Sequence, residues 1–272
     1  MTLRTILAET RDFIHQIYVN KDLILELTRH DFLNKYIKNY LGIVWAIFEP
    51  LAFILILYFV FSVQFGSSDV EGTPYVAYLI TGYIAFNFFS ATLEQATDSI
   101  SAYSFMLNKV NFRVAILPLV KILSNLMLHA VILVIAVIFL LFNHVYPSWY
   151  WLQVFYYILS LFAFLLGLAW ITSSVSLFFP DLKNIISIVT MLLFFLTPVF
   201  WYTWGFSETY VNILKLNPLY YIVNGYRDSF LFQVGFWKHP VLTPYFWGLT
   251  FLFLVIGTMV FKKLRPHFAD VV

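Results

Sequence analysis

Long apolar runs recur along this chain, separated by short polar connections. A membrane-spanning helix needs about 20 mostly apolar residues, and six stretches meet that need: 41–65, 74–93, 116–142, 150–179, 185–204 and 241–262. The runs at 116–142 and 150–179 are longer than required, which predicts tilt or extension past the bilayer. Ahead of the first run, Ile14, Ile17, Tyr18, Leu25, Phe32, Leu33 and Tyr36 recur at helical spacing opposite acids and bases. That pattern predicts a cytoplasmic amphipathic interface helix within residues 1–40, lying on the membrane surface. Residues 41–272 then form the transmembrane domain.

The segment 205–240 departs from this pattern. It holds two apolar stretches too short to span, broken at Asn217-Pro218. Short runs of this kind are typical of re-entrant segments, so an outer re-entrant helical hairpin is expected between the fifth and sixth spans, with an exposed loop as the alternative. Lys215, Arg227, Asp228 and Lys238 argue against its full burial. The expected fold is all-α and integral to the membrane, with six transmembrane helices. No internal repeat is visible, so the paired-repeat design of secondary transporters gains no support.

Charge sets the orientation. Arg4, Arg11, Lys21, Arg29, Lys35 and Lys38 precede the first run, Lys109 and Arg113 follow the second, Lys183 follows the fourth, and Lys262, Lys263 and Arg265 follow the sixth. The connections Gly66–Thr73 and Asn143–Ser148 carry no lysine or arginine. By the positive-inside rule both termini are cytoplasmic, in a multi-pass membrane protein. Met1–Asn20 lacks the apolar core of a signal peptide, so the first run is expected to drive insertion itself.

Composition narrows the function classes. Residues are 61% hydrophobic and 11% charged, against about 25% charged in soluble domains. A net charge of +2 gives no footprint for nucleic acid. The chain has no cysteine, which excludes disulfides, thiolate metal sites and cysteine nucleophiles. It has no GxxxxGK[ST] phosphate loop, and so no ATP site of that kind, and no HExxH or GxSxG. Neither a catalytic nor a metal-binding set is expected, and no resident cofactor.

Of the six histidines only His129 falls deep in a run. It is either a functional intramembrane group or a neutral histidine bonded to a neighbouring helix. Among the acids, Asp98 and Asp181 read as capping or surface groups. Glu49 differs, because Pro50 beside it frees a backbone carbonyl one turn back. Aromatic residues dominate the runs. Trp45, Tyr58, Phe59, Tyr83, Phe86, Phe89, Phe194, Phe195, Trp201 and Tyr202, with Glu49, are the candidates for lining a transport path. Ring faces and phenol hydroxyls offer tolerant contact to sugars, while tryptophan and tyrosine at span ends also serve the ordinary interfacial belt. In the connection 95–115, Ser99–Leu107 is expected to form a short helix, followed by Asn108, Lys109, Val110, Asn111 and Phe112. This is either a segment that receives motion from a soluble motor or a plain surface loop.

The motif Lys35-Tyr36…Asn39-Tyr40-Leu41-Gly42…Trp45…Pro50 resembles the signature of type-two ABC exporter permeases for polysaccharides and polyol phosphates. Further likenesses lie in Asn108–Phe112 followed by Ile116-Leu117-Pro118, in Tyr146-Pro147-Ser148, in Thr197–Trp201, in Asn217–Ile222 and in Phe268-Ala269-Asp270. Asn39-Tyr40-Leu41-Gly42 is most similar to the teichoic acid exporter branch. The resemblance implies a homodimer with two separate ATP-binding subunits, which hold the ATP and Mg, and a path between the two copies beside the first and fifth spans. It implies export of an undecaprenyl-diphosphate-linked polymer, with O-antigen, capsule or another lipid-linked glycan as the alternative cargo and a small drug as a further one. Asn108–Phe112 would couple to the ATPase. Arg29, Lys35, Tyr36 and Lys38 would meet the pyrophosphate headgroup, or simply anionic lipid. A membrane-embedded enzyme using His129 and an autonomous channel are the rivals from other classes.

Overall fold

The structure is a computed structural model that describes residues 17–37, 40–65, 69–70, 72–104, 114–203 and 205–271. Lys38, Asn108–Phe112 and Trp204 therefore lie outside the described residues.

Helix α1 (Lys21–Ile37) is the expected N-terminal helix. Its buried stripe is Ile24, Thr28, Asp31, Phe32 and Tyr36, one face of a helix at 3.6 residues per turn. This corrects the expected apolar face. Tyr18 and Leu25 stay exposed, while an aspartate and a threonine are buried against the rest of the protein. The chain then turns at Gly42, whose φ of 53° is a left-handed conformation that glycine adopts without penalty. A 3-10 turn, Gly42–Val44, leads into α2 (Trp45–Phe65), which carries Pro50 inside it. Among its described side chains only Ala46, Ile54 and Leu57 are buried.

Two residues on each side of the next turn, β1 (Asp69–Val70) and β2 (Thr73–Pro74), pair antiparallel. They are a small departure from an all-α fold. Helix α3 (Tyr75–Thr97) is buried on almost every side, as expected of a helix that is apolar all round. It is the central post, with α5 (Ile116–Phe142), α6 (Val154–Phe178) and α7 (Leu182–Leu196) packed round it. Of the predicted helix over Ser99–Leu107, Ser99–Ala102 form α4, Tyr103 leaves helical geometry at φ −114° and ψ 26°, and residues 105–107 lie outside the described residues.

The broken segment is helical, as expected. It contains α8 (Glu208–Leu214) and α9 (Pro218–Arg227), then a π-helical turn, Asp228–Phe232. Asn217 caps α9 by accepting from the Leu219 amide at 3.0 Å, and Pro218 sits at the first helical position, where its missing N–H costs nothing. Helices α10 (Leu242–Leu264) and α11 (Phe268–Val271) end the described chain.

Helices α6 and α10 form the tightest seam, and glycine makes it possible. A Cβ added at Gly167 would stand 2.7 Å from the Leu254 amide nitrogen, and one at Gly257 only 2.5 Å from the Gly167 carbonyl oxygen. Small residues that let backbones approach are the usual basis of helix association in lipid.

Five helical stretches among the described residues are long and apolar enough to cross a membrane: 42–60, 75–97, 116–142, 149–178 and 242–267. The expected fifth span, 185–204, falls short as a single helix. Its helix is α7, 15 residues, and it ends at Leu196. Pro198 is the cause, since a proline disfavours helical geometry at the residue before it. Thr197 is extended, at φ −89° and ψ 134°.

Candidate functional site

The folding of α1 back against the bundle creates a cavity of about 750 Å³ between α1, α2, α3 and α5. It gathers residues that the sequence scatters from Lys35 to Ile132. Lys35 and Tyr36 reach it from α1, Trp45 and Glu49 from α2, and Tyr83 and Asn87 from α3. Two members of the expected headgroup set thus share one cavity with three of the expected path set. The Tyr83 ring stacks on Phe53 at 4.4 Å between centroids, and its hydroxyl accepts from the Asn87 amide at 3.2 Å. Rings and amides line one wall, and a lysine and a carboxylate lie on the others.

Lys35 is held by an inward-facing polar network. Its ammonium donates to Asn125 Oδ1 at 3.1 Å, and the Asn125 amide donates to Gln95 Oε1 at 3.3 Å. One helical turn back, Asp31 accepts from the Lys121 ammonium and from the Tyr103 hydroxyl, the latter at 2.9 Å. Lys121 also stands 5.3 Å from the Tyr103 ring centroid. Asp31 is 5% exposed, and an uncompensated buried carboxylate would be costly. Burial pushes its pKa up, but Lys121, Ser124 and Tyr103 together outweigh burial and hold it below the usual carboxylate value. This one acid ties α1 to α5 and to the residue that follows α4.

Burial and the nearby Lys121 charge pull Lys35 down to about 8, against the opposing pull of Asp31. Its proton is therefore held less tightly than that of an ordinary lysine, and its charge is lost as pH rises through that value. Burial and the Glu49 carboxylate hold the Tyr36 phenol above its usual value.

The remaining candidates separate. Arg29 is exposed on the outer side of α1. Tyr58 and Phe59 are exposed on α2, where Tyr58 meets Phe139 edge-on at 5.3 Å. Phe86 and Phe89 belong to the packed interior, 4% and 2% exposed. Phe194 packs on Phe86 at 5.1 Å, while Phe195 beside it is exposed. On α7 only Thr190 is buried, and its hydroxyl donates to Glu94 at 2.6 Å. An ion pair between Lys183 and Asp98 holds the start of the same helix. Trp201 and Tyr202 lie past the Pro198 break, at the opposite end of α3 from the cavity.

At that end the structure overturns one expectation. Arg227 is not a group that keeps the hairpin out of the core. It is 1% exposed and sits inside. Its guanidinium lies 3.5 Å from the Tyr78 ring centroid and donates to the carbonyls of Tyr78 at 3.2 Å and Val199 at 2.9 Å, and to Asn224 Oδ1 at 3.2 Å. Five N–H donors in a planar fork suit this arrangement, and a lysine could not reproduce it. Gly82 makes the room, since a Cβ there would meet the guanidinium at 2.5 Å. The sequence signal was available in that glycine amid bulky residues of the second run.

The segment after α7 is pinned by the same region. Tyr75 donates to the Phe200 carbonyl, Tyr78 to the Trp201 carbonyl at 3.3 Å, and Asn217 to the Thr197 hydroxyl at 2.8 Å. His129 is 1% exposed, hydrogen-bonded to the Tyr226 hydroxyl at 2.9 Å and stacked on Phe88. That is the arrangement of a histidine bonded to a neighbouring helix.

Against known proteins, residues 22–231 match the family model described as ABC-2 type transporter. The chain is 28% identical over 252 residues to the O-antigen export system permease protein RfbA of Klebsiella pneumoniae, covering 92% of this chain and 95% of that protein. It is 22% identical over 263 residues to the O-antigen export system permease protein RfbA of Myxococcus xanthus, covering 94% and 98%. It is 24% identical over 236 residues to the capsule polysaccharide export inner-membrane protein CtrC of Neisseria meningitidis serogroup A, covering 85% of each.

Proposed function

The chain belongs to the ABC-2 type transporter family, and from that premise we propose that it is the permease subunit of an ATP-driven exporter of lipid-linked polysaccharide. The observation that carries this reading is the cavity where Lys35 and Tyr36 of the interface helix meet Trp45, Glu49 and Tyr83. A cation at the rim of a ring-lined cavity suits a cargo with an anionic headgroup and a sugar chain. Lys35 attracts the diphosphate from the inner leaflet, and ring faces tolerate the glycan that follows. Relatives that cover nearly all of the chain are named for O-antigen and capsule polysaccharide export. Their names favour those cargoes over teichoic acid, which remains the narrower variant to be tested.

In this reading α7 completes a sixth span with the non-helical residues after it, and α8 with α9 forms a hairpin in the outer leaflet. Both termini face the cytoplasm. A second copy of the chain closes the path along the exposed faces of α2 and α7, with Tyr58, Phe59 and Phe195 turned toward it. ATP and Mg belong to two separate ATP-binding subunits, which act on Asn108–Phe112. The enzyme alternative loses its candidate group, because His129 is engaged and enclosed.

The test is ATP hydrolysis by this chain reconstituted in lipid with the ATP-binding subunit encoded in its own genome. Short undecaprenyl-diphosphate-linked O-antigen, capsule and teichoic acid precursors are added in turn. Stimulation by one precursor supports the exporter and assigns its cargo. Assembly with no response to any glycan lipid, together with response to a small drug, replaces the reading with drug export. Ion conductance without the ATPase replaces it with a channel.

A further inference from the structure

A second cavity, of about 360 Å³, opens at the other end of α3, between the Pro198 break, α9 and the start of α10. It is remote from Lys35, and the exporter reading assigns it no task. We propose that it binds one sugar residue of a glycan outside the path. The proposal rests on the exporter reading only for the source of the sugar.

Three observations carry it. The first is the lining. Tyr202, Tyr220 and Phe232 supply ring faces, while Thr203, Asn224 and Asp228 supply hydroxyl, amide and carboxylate groups. A pyranose has an apolar face to lay on a ring and several hydroxyls that each need a donor or acceptor, and this set provides both. A volume of 360 Å³ is within the range of about 300–1,000 Å³ found for small-molecule sites.

The second observation is charge. The Asp228 carboxylate is bonded to His239 Nε2 at 2.8 Å and is only partly exposed. One lysine, Lys215, faces the same space. A phosphate would meet that carboxylate at close range, whereas a neutral polyol uses it as an acceptor. The inner cavity has the reverse arrangement, a lysine bonded into the protein and an exposed carboxylate.

The third is the backbone. Asp228 and Phe232 are the first and last residues of the π-helical turn, and both line the cavity. Such turns are rare and concentrate at functional sites. The turn ends at Gln233 in a left-handed conformation, φ 55°. It is clamped by Gln153, which donates to the Val234 carbonyl at 2.7 Å and accepts from the Phe236 amide at 3.1 Å. The framework is thus fixed before any ligand arrives.

The experiment is saturation-transfer NMR on the complex of this chain with its ATP-binding subunit in lipid nanodiscs. The probes are the methyl glycosides of glucose, galactose, mannose and N-acetylglucosamine. At least one glycoside is expected to receive saturation, falling about fivefold in Asp228→Asn and in Tyr202→Ala, as loss of one good contact predicts. Thr203→Val gives a third variant should either of these fail to assemble. No transfer to any glycoside in the assembled wild-type complex, transfer unchanged in the variants, or displacement by inorganic phosphate would overturn the proposal. Export of polysaccharide is followed with the same complexes reconstituted in sealed proteoliposomes. Intact export without sugar binding removes this site and leaves the exporter, while sugar binding without export keeps the site and removes the exporter.

Discussion

The inner and outer cavities sit at opposite ends of α3 and both draw on tyrosine, yet their charges are arranged in opposite ways. The inner one presents Lys35, whose proton is loosely held, beside an exposed Glu49. The outer one presents a carboxylate locked to a histidine, with Lys215 bonded to Asn212 near the surface and Arg227 withdrawn behind the wall. At the inner end the lysine is the group tied into the protein and the carboxylate is exposed, and at the outer end the carboxylate is the tied group. The difference teaches that the same aromatic lining serves two kinds of contact, and that the disposition of charge separates them. It also gives the two ends distinct sensitivities to mutation and to pH.

The largest expected effect breaks the outer end alone. Arg227→Met takes the donor from the Val199 carbonyl in the interior and from Asn224 Oδ1, at about 1–3 kcal/mol for each group left unpaired, while the Tyr78 carbonyl keeps its bond from Thr81. A drop of roughly 3 kcal/mol or more should be read as a lower Tm of the purified protein. Arg227→Lys should not restore it, because one ammonium cannot serve three acceptors in a plane. The Lys35 titration should be unchanged, and if it moves with Arg227 the two ends are not independent.

Next comes Asp31→Asn at the inner end. The amide still accepts from Tyr103 but no longer offsets Lys121. The cost should be about 2 kcal/mol, below the ~3–5 kcal/mol of breaking a buried pair outright. Cleavage by added protease at the N-terminal helix should rise, while the outer end stays protected.

A smaller effect comes from pH. Lys35 titrates near 8 in the folded protein, against 10.5 for an ordinary lysine. The charged form is the disfavoured one on folding, so the unfolded chain binds more protons between those values and stability rises with pH across that window. Stimulation of ATP hydrolysis by an anionic glycan lipid should run the other way, declining as pH passes through 8. Lys35→Arg should flatten that decline, whereas sugar binding at the outer cavity should show none of it. The smallest effect is Lys183→Ala. Its pair with Asp98 has both side chains around 40% exposed, so its loss should cost under about 0.5 kcal/mol by thermal unfolding.

The helices were legible from hydropathy because lipid demands long, satisfied backbones, and the break at Asn217-Pro218 was legible because proline and a capping asparagine act locally. Lys35, Tyr36, Trp45, Glu49 and Tyr83 could be named as candidates, but their union in one cavity depends on the turn at Gly42. Burial of Asp31 and Arg227 was hidden for a shared reason. A charged residue is counted as exposed until its partners are known, and those partners lie 90 positions away at Lys121, and 28 and 149 away at Val199 and Tyr78. The shortness of α7 was legible only in part. Pro198 was visible, but the aromatic residues Phe200, Trp201 and Tyr202 beyond it carry the hydropathy signal onward without carrying the helix.

Helix α7 has a consequence for the lipid around it. Fifteen helical residues at 1.5 Å each reach only about 22 Å, while the hydrocarbon layer of a typical bilayer is ~30 Å thick. Bilayers meet a short apolar helix by thinning locally, at a modest cost per ångström. A bilayer that met α7 alone would be dimpled beside it, and under the proposed export a headgroup crossing there would have less oil to traverse. In that case the proline that cuts the helix short would also lower the barrier in the lipid next to it.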